Sequence, residues 1–196
     1  MKKLLLLTGI LSCTIFSASA QYFNGNAPAL KFGVGISSGF ATGAASGVYP
    51  EAGNLSLNLE YPINTSVSLL LTTGYTFYVS GGGYSIGYYD SGFGASTYSY
   101  GSIASFVPVE AGVKLYVAGK FFIEGSAGVS FNINSYPADY TGKATALIYS
   151  PGIGYSFPFL NNGNSTMDVG LAYENRLEPG GGYSQVAARA VWNFGL

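Results

Sequence analysis

The feature of this sequence that most constrains its fold is a two-residue alternation between bulky apolar residues and small or polar residues, which recurs in eight segments. Successive side chains of a β-strand point to opposite faces, so this period is typical of strands whose two faces meet different surroundings. Turn-forming residues separate the segments. The predicted strands are residues 30–37, 53–61, 66–79, 106–117, 121–133, 147–157, 167–176 and 185–196.

Charged residues are scarce and lie on one side of this pattern. Only 9% of the residues are charged, whereas an ordinary soluble domain carries about 25%. Within the predicted strands every charge falls on the small and polar face, and the opposite face is apolar in every strand. A buried charge persists only when it is paired and hydrogen-bonded. We therefore expect an interior ion network of five acids and four bases, which are Lys31, Glu60, Glu110, Lys114, Glu124, Asp168, Glu174, Arg176 and Arg189.

The contrast between the two faces indicates a closed barrel whose outer surface meets lipid. The interior of an eight-stranded barrel has room only for modest side chains, so the small residues suit the inside and the bulky residues suit the outside. A soluble barrel or sandwich is the alternative, but its wet face would need many more Lys and Glu residues, and its apolar band would be an unusually large exposed patch. The sequence therefore predicts an all-β fold, an eight-stranded antiparallel up-and-down transmembrane β-barrel.

The connections between the predicted strands alternate in length, as they do in outer-membrane barrels. The short turns, which we expect to face the periplasm, lie near Pro62, Gly119 and Asn162. The longer loops, which we expect to face outside, lie near Ala41, Gly82, Ala138 and Gly180. Aromatic residues near the strand ends are expected to form interfacial girdles, and they are Tyr61, Tyr75, Phe77, Phe121, Tyr155, Phe157, Tyr173 and Trp192.

The first residues read as an export signal. Lys2 and Lys3 precede an apolar stretch over residues 4–16, and Ala18-Ser19-Ala20 has the pattern of a cleavage site. We therefore divide the chain into a signal peptide, residues 1–20, and a β-barrel domain, residues 21–196. A membrane anchor is a poor alternative because the apolar stretch is too short to span a bilayer. Lipoprotein processing at Cys13 is a second alternative, and the residues before it fit that signal poorly.

Two segments carry a family resemblance. Residues 106–116, Phe-Val-Pro-Val-Glu-Ala-Gly-Val-Lys-Leu-Tyr, and residues 189–196, Arg-Ala-Val-Trp-Asn-Phe-Gly-Leu, resemble the outer-membrane β-barrel domain family common in Bacteroidota, which is related in architecture to OmpA/OmpX-type barrels. The resemblance implies an outer-membrane location and a last strand that is read by the barrel-assembly machinery. Trp192, Phe194 and Leu196 would form that assembly signal, although many such proteins end in an aromatic residue and this chain ends in Leu196.

The residue inventory argues against catalysis. The chain has no histidine, which removes Ser-His nucleophilic chemistry and most zinc sites. We predict no catalytic residue, cofactor or metal, and no enzyme activity. A paired-carboxylate site drawn from Glu60, Glu110, Glu124 and Asp168 is the alternative to the ion network. A net charge of -1 with no basic stripe gives no support for nucleic-acid binding.

One predicted loop, residues 80–102, is rich in tyrosine, glycine and serine, a composition that suits adaptable binding surfaces. Its contact candidates are Tyr84, Tyr88, Tyr89, Phe93, Tyr98 and Tyr100. We therefore expect a monomeric outer-membrane protein with a structural or interaction role. Its partners would be membrane lipid, the assembly machinery during biogenesis and an unidentified extracellular partner. The alternative function is a narrow porin-like channel for ions or small solutes.

Overall fold

A computed structural model gives the architecture of the chain. It describes residues 30–81, 84–88, 96–100, 103–118, 120–134, 144–158, 165–178 and 182–195. The predicted signal peptide and its cleavage site lie outside the described residues. Across the described ranges, no helix has both the length and the apolar character needed to cross a bilayer.

Ten strands and one short 3-10 helix form the described chain. The strands are β1 Lys31–Thr42, β2 Glu51–Pro62, β3 Val67–Val79, β4 Tyr84–Tyr88, β5 Ser96–Tyr100, β6 Ile103–Ala118, β7 Phe121–Asn132, β8 Thr145–Pro158, β9 Ser165–Leu177 and β10 Tyr183–Gly195. The 3-10 helix, Gly43–Gly47, follows β1.

Eight of these strands close into one barrel, in the order β1-β10-β9-β8-β7-β6-β3-β2. Every neighbouring pair is antiparallel. The barrel closes where β1 pairs with β10, in a register that runs from Lys31 opposite Gly195 to Thr42 opposite Ser184. This confirms the predicted eight-stranded antiparallel up-and-down barrel.

Two of the predicted connections contain more regular structure than the sequence pattern indicated. The first strand continues to Thr42, so the loop expected near Ala41 begins only at Gly43, whose positive φ of 73° suits a residue without a Cβ. The second long loop contains a separate two-stranded sheet, in which β4 pairs with β5. The prediction that residues 80–102 form a loop throughout is therefore wrong for Tyr84–Tyr88 and Ser96–Tyr100.

The predicted faces are confirmed by exposure. Bulky residues at the outward positions stay exposed, for example Leu57 at 47% and Leu171 at 55%. The inward charges are buried, for example Glu110 at 3% and Lys114 at 2%. The apolar side chains therefore cover the outside of the barrel and the charges line its lumen.

The expectation that the lumen holds only modest side chains is wrong near its two ends. Tyr78, Phe106 and Phe122 point inward and are almost fully buried. Tyr78 and Phe106 fit by packing edge to face against each other, and Phe122 fits because a glycine lies beside it. A Cβ placed on Gly154 would lie 2.5 Å from the Phe122 ring, so the ring occupies space that any larger residue at position 154 would fill.

Inward glycines also allow neighbouring strands to approach closely. A Cβ on Gly128 would lie 2.0 Å from the carbonyl oxygen of Val109 on the paired strand, and Gly39 and Gly170 show the same approach at 2.0 and 2.2 Å. Glycines at such positions permit the sharp bending that a small barrel requires.

We predict that Gly128→Ala destabilises the folded barrel by about 1–3 kcal/mol, because its methyl group would force the β6 backbone away. The thermal midpoint in detergent measures this loss. Gly125→Ala on the same strand is the matched control, since a Cβ there meets nothing within 4 Å. Equal midpoints for the two variants would contradict the packing argument.

Candidate functional site: the barrel lumen and the outer hairpin

The lumen near the short turns contains a cluster built around Lys114. Its ammonium group forms an ion pair with Glu60 at 3.2 Å and a second with Asp168. Lys31 contributes a longer pair to Glu60, at 3.6 Å. Each member of this cluster comes from a different strand, so the ion pairs join β1, β2, β6 and β9 across the lumen.

Neutral side chains complete this cluster. Glu60 accepts hydrogen bonds from Ser68 at 2.9 Å and from the Tyr116 hydroxyl at 3.1 Å. The Asn193 amide donates to Asp168 at 2.8 Å. The Lys114 ammonium also lies 4.2 Å from the centre of the Phe122 ring, a favourable cation–π position. These contacts supply partners for each charged group, although Asp168 Oδ1 has no hydrogen-bond partner among the described residues.

The middle of the lumen holds a second group of charges. Arg189 on β10 forms a hydrogen-bonded ion pair with Glu124 on β7. Glu110 accepts a hydrogen bond of 2.7 Å from Ser126, and Glu174 lies beside Gln185, its partner in the β9–β10 register. A cavity of about 60 Å³ lies between these side chains.

The lumen near the long loops is filled by Arg176 and an aromatic cluster. Arg176 donates to Glu178 at 2.5 Å and to the carbonyl oxygen of Ser130. Its guanidinium lies 4.6 Å from the centre of the Phe106 ring. The outer aromatic cluster, which we define as Tyr49, Tyr78, Phe106 and Tyr183, packs with ring centroids between 4.8 and 5.9 Å apart.

All nine predicted interior charges lie at inward-facing positions of barrel strands. They do not form one continuous network. Ion pairs join Lys31, Glu60, Lys114 and Asp168 at one end and Glu124 with Arg189 in the middle. Arg176 pairs with Glu178, which the sequence analysis did not include because it follows the predicted strand. Glu110 and Glu174 have no ion pair among the described residues.

The register of the outer hairpin, β4 and β5, separates its residues into two unlike faces. Tyr84 pairs with Tyr100 and Ile86 with Tyr98, while Ser85 pairs with Ser99 and Gly87 with Thr97. Directly paired positions share a face and neighbouring positions alternate. One set of positions is therefore held by Tyr84, Ile86, Tyr88, Ser96, Tyr98 and Tyr100. The other set is held only by Ser, Gly and Thr. The remaining contact candidates, Tyr89 and Phe93, are outside the described residues.

Part of the predicted assembly signal is described. Trp192 pairs with Val34 on β1 and Met167 on β9, and the Phe194 side chain is exposed on the outer wall. Leu196 lies outside the described residues. Reading of this strand by the assembly machinery stays a prediction.

Exposed aromatic residues lie towards both ends of the outer wall. Tyr155 and Phe157, with ring centroids 4.8 Å apart, lie near the end of β8 that leads into a short turn. Tyr149 and Tyr173 lie towards the opposite end, 6.2 Å apart. This arrangement fits the two interfacial girdles expected of a membrane barrel.

We predict that Arg189→Ala lowers the free energy of unfolding by about 3 kcal/mol, because it leaves the Glu124 carboxylate in the lumen without its ion-pair partner. The thermal midpoint in detergent reports the change. Lys120→Ala, at an exposed position between β6 and β7, is the matched control for loss of a cation. An unchanged midpoint for Arg189→Ala would show that this pair does not stabilise the barrel.

Comparison with known proteins supports the fold. No protein-family model matches this sequence, and no curated protein matches it either. Among solved structures, the chain is similar to Ail, the attachment invasion locus protein of Yersinia pestis, in complex with the heparin analogue sucrose octasulfate. The TM-score is 0.53 and the identity 14%, over 86% of this chain and 100% of that chain.

A second similar structure is Neisserial surface protein A. Its TM-score is 0.55 and its identity 13%, over 87% of this chain and 99% of that chain. At these identities the likeness concerns the fold alone. The described chain therefore has the architecture of small outer-membrane β-barrels.

Proposed function

We propose that this chain is a small outer-membrane protein with a structural and contact role, in which the barrel is the anchor and the outer loops are the contact surface. The observation that carries this proposal is the filled lumen. Ion pairs occupy one end and the middle, and the outer aromatic cluster with Arg176 occupies the other end. A barrel filled in this way suits anchoring better than transport.

Three features support the outer membrane as the location. The outer wall is apolar and the lumen is charged, which is the reverse of a soluble barrel. Closure leaves no unpaired strand edge, as hydrocarbon requires. The export signal predicted for residues 1–20 would deliver the chain to the envelope. Membrane lipid and the assembly machinery are then its partners, and a monomer suffices because the barrel closes on itself.

The outer hairpin is the best candidate for the contact surface. Its register collects Tyr84, Tyr88, Tyr98 and Tyr100 on one face. Tyrosine offers large contact area at low cost in conformational entropy, and the surrounding serine and glycine residues give adaptable hydrogen bonding. A role in binding, without catalysis, follows from this composition.

The charges near the long loops favour a neutral partner over a polyanion. The segments at that end contain Glu51, Asp90 and Asp139 against Lys143. A sulfated sugar of the kind present in the Ail complex needs a positive surface. We therefore propose neutral polysaccharide or protein as the contact partner.

A narrow channel is the second candidate function, and the cavity in the middle of the lumen is the observation in its favour. Its lining is polar, with Asn54, Ser126 and Gln185 among the lining residues. Its volume of about 60 Å³ is sufficient for only a few water molecules.

We predict that replacing Tyr84, Tyr98 and Tyr100 together by Ser weakens surface binding at least tenfold. Intact cells that express the chain would be tested on immobilised dextran, collagen and heparin. Ser85→Ala with Ser99→Ala, on the opposite face of the hairpin, is the matched control. An epitope inserted at residues 90–95 would verify display on intact cells. Unchanged binding by the tyrosine variant, or binding to heparin alone, would contradict the proposal.

We further predict that the purified barrel produces no discrete conductance steps in planar bilayers, because large side chains fill both ends of its lumen. Recordings at high salt would reveal even a narrow pore. An open porin incorporated in the same bilayers is the positive control. Reproducible steps that scale with the amount of barrel would favour the channel and overturn the anchor.

A further inference from the structure

Two carboxylates in the middle of the lumen have no ion-pair partner among the described residues. They are Glu110 on β6 and Glu174 on β9, and both line the cavity of about 60 Å³. Arg189 lines the same cavity, but its guanidinium is hydrogen-bonded to Glu124. Lys114 also lines the cavity and is paired with Glu60 and Asp168. The two carboxylates therefore form no ion pair with either cation, although Arg189 lies within electrostatic range of Glu110.

The charge balance of the lumen has a deficit at the same place. The described lumen contains six acidic side chains, Glu60, Glu110, Glu124, Asp168, Glu174 and Glu178, and four basic ones, Lys31, Lys114, Arg176 and Arg189. The acids and bases balance at the two ends. The excess of two negative charges therefore belongs to Glu110 and Glu174.

A second, independent observation is an orphaned oxygen beside these carboxylates. Gln185 is 1% exposed, yet its Oε1 has no hydrogen-bond partner within the described chain. Gln185 stands opposite Glu174 in the β9–β10 register and lines the cavity. Ser150 also lines the cavity, and its Oγ is likewise without a partner. Buried polar atoms of this kind normally have a partner, so each one calls for an explanation.

We propose that the cavity binds a single calcium ion between Glu110 and Glu174. An ion with two positive charges would offset the excess of negative charge. Hard cations prefer oxygen ligands, and the cavity offers two carboxylates, the Gln185 amide oxygen and the Ser150 hydroxyl. Ca²⁺ accepts irregular geometry, whereas Mg²⁺ demands a near-ideal octahedron.

Water completes the proposed coordination. The described residues contain no group of three or more carboxylate, thiolate or imidazole side chains suited to a metal ion. The site would therefore combine its two carboxylates with neutral oxygens and water. The cavity volume, about 60 Å³, is enough for an ion with a few water molecules.

The experiment refolds the barrel in detergent with either CaCl₂ or EDTA at matched ionic strength, because the filled lumen requires the ion to enter during folding. Excess metal is removed on a chelating resin, and retained calcium is counted by mass spectrometry. We expect one retained ion per chain. We also expect a rise in the thermal midpoint of roughly 5–10 °C at a Ca²⁺ concentration about a hundred times the Kd. MgCl₂ should give a smaller rise.

Variants locate the ion. Glu110→Gln and Glu174→Gln should each abolish calcium retention and the shift in midpoint. Glu51→Gln, an exposed carboxylate outside the lumen, should preserve both. If one glutamate variant does not refold, the other variant still tests where the ion binds. Calcium retention by the wild-type barrel is measured without either variant.

Two results would overturn the proposal. Wild-type barrel that retains no calcium, with the same midpoint in CaCl₂ and EDTA, would show that protons neutralise the carboxylates. Retention equal to wild type in both glutamate variants would place the ion elsewhere. Neither result bears on the surface-contact role, because the hairpin experiment does not depend on the lumen.

Discussion

The narrow lumen of an eight-stranded barrel is the constraint on which the rest of this structure depends. Every inward side chain must fit against its neighbours, so a large residue is admitted where a small one lies beside it or where large side chains pack on one another. Phe122 occupies space that Gly154 leaves vacant. The same crowding brings Lys114 within reach of acids on two other strands. Packing and electrostatics in the lumen are therefore consequences of one geometric limit.

Each charged side chain in such a narrow lumen needs an oppositely charged or hydrogen-bonding partner nearby. Breaking a buried pair leaves an uncompensated charge and is strongly destabilising, although an intact pair contributes little net stability compared with a well-packed apolar core. In the Lys114 cluster every charged group is paired, with help from hydroxyl groups and an amide, and Asp168 Oδ1 is the atom of the described cluster left without a hydrogen bond. In the middle of the lumen ion pairing is only partial, since Glu124 is paired while Glu110 and Glu174 are not. The lumen thus combines a region specialised for stability with a region whose chemistry is incomplete without an additional ligand.

The barrel itself could be predicted from the sequence because each strand shows the two-residue alternation within its own segment. The alternation that places Leu57 and Leu171 outward is visible within a single segment, and no distant residue is needed to interpret it. The hairpin was missed although residues 84–88 also alternate, because the glycines and serines around it are typical of loops. The aromatic cluster was missed for another reason. It joins Tyr49, Tyr78 and Tyr183, which are far apart in the chain and meet only after the barrel closes.

The pairing of the charges could not be predicted from the sequence either. The alternation within β6 is enough to predict that Lys114 points into the lumen. Its ion pair with Asp168 depends on how β6 and β9 are offset around the barrel. That offset is a property of the closed sheet. Sequence reasoning could therefore identify which residues share the lumen, while their partners, the unpaired carboxylates and the orphaned Gln185 oxygen emerged only from the three-dimensional arrangement.

The pairing of β1 with β10 has a consequence for biogenesis. These strands are almost at opposite ends of the described chain, so the seam between them cannot form until the last strand is available to pair. Until that moment the nascent sheet has two open edges that can pair with any other extended chain, and contacts of such high sequence separation form slowly. Loss of the last strand would leave β1 and β9 as two unpaired edges, so closure of the whole sheet depends on this one seam.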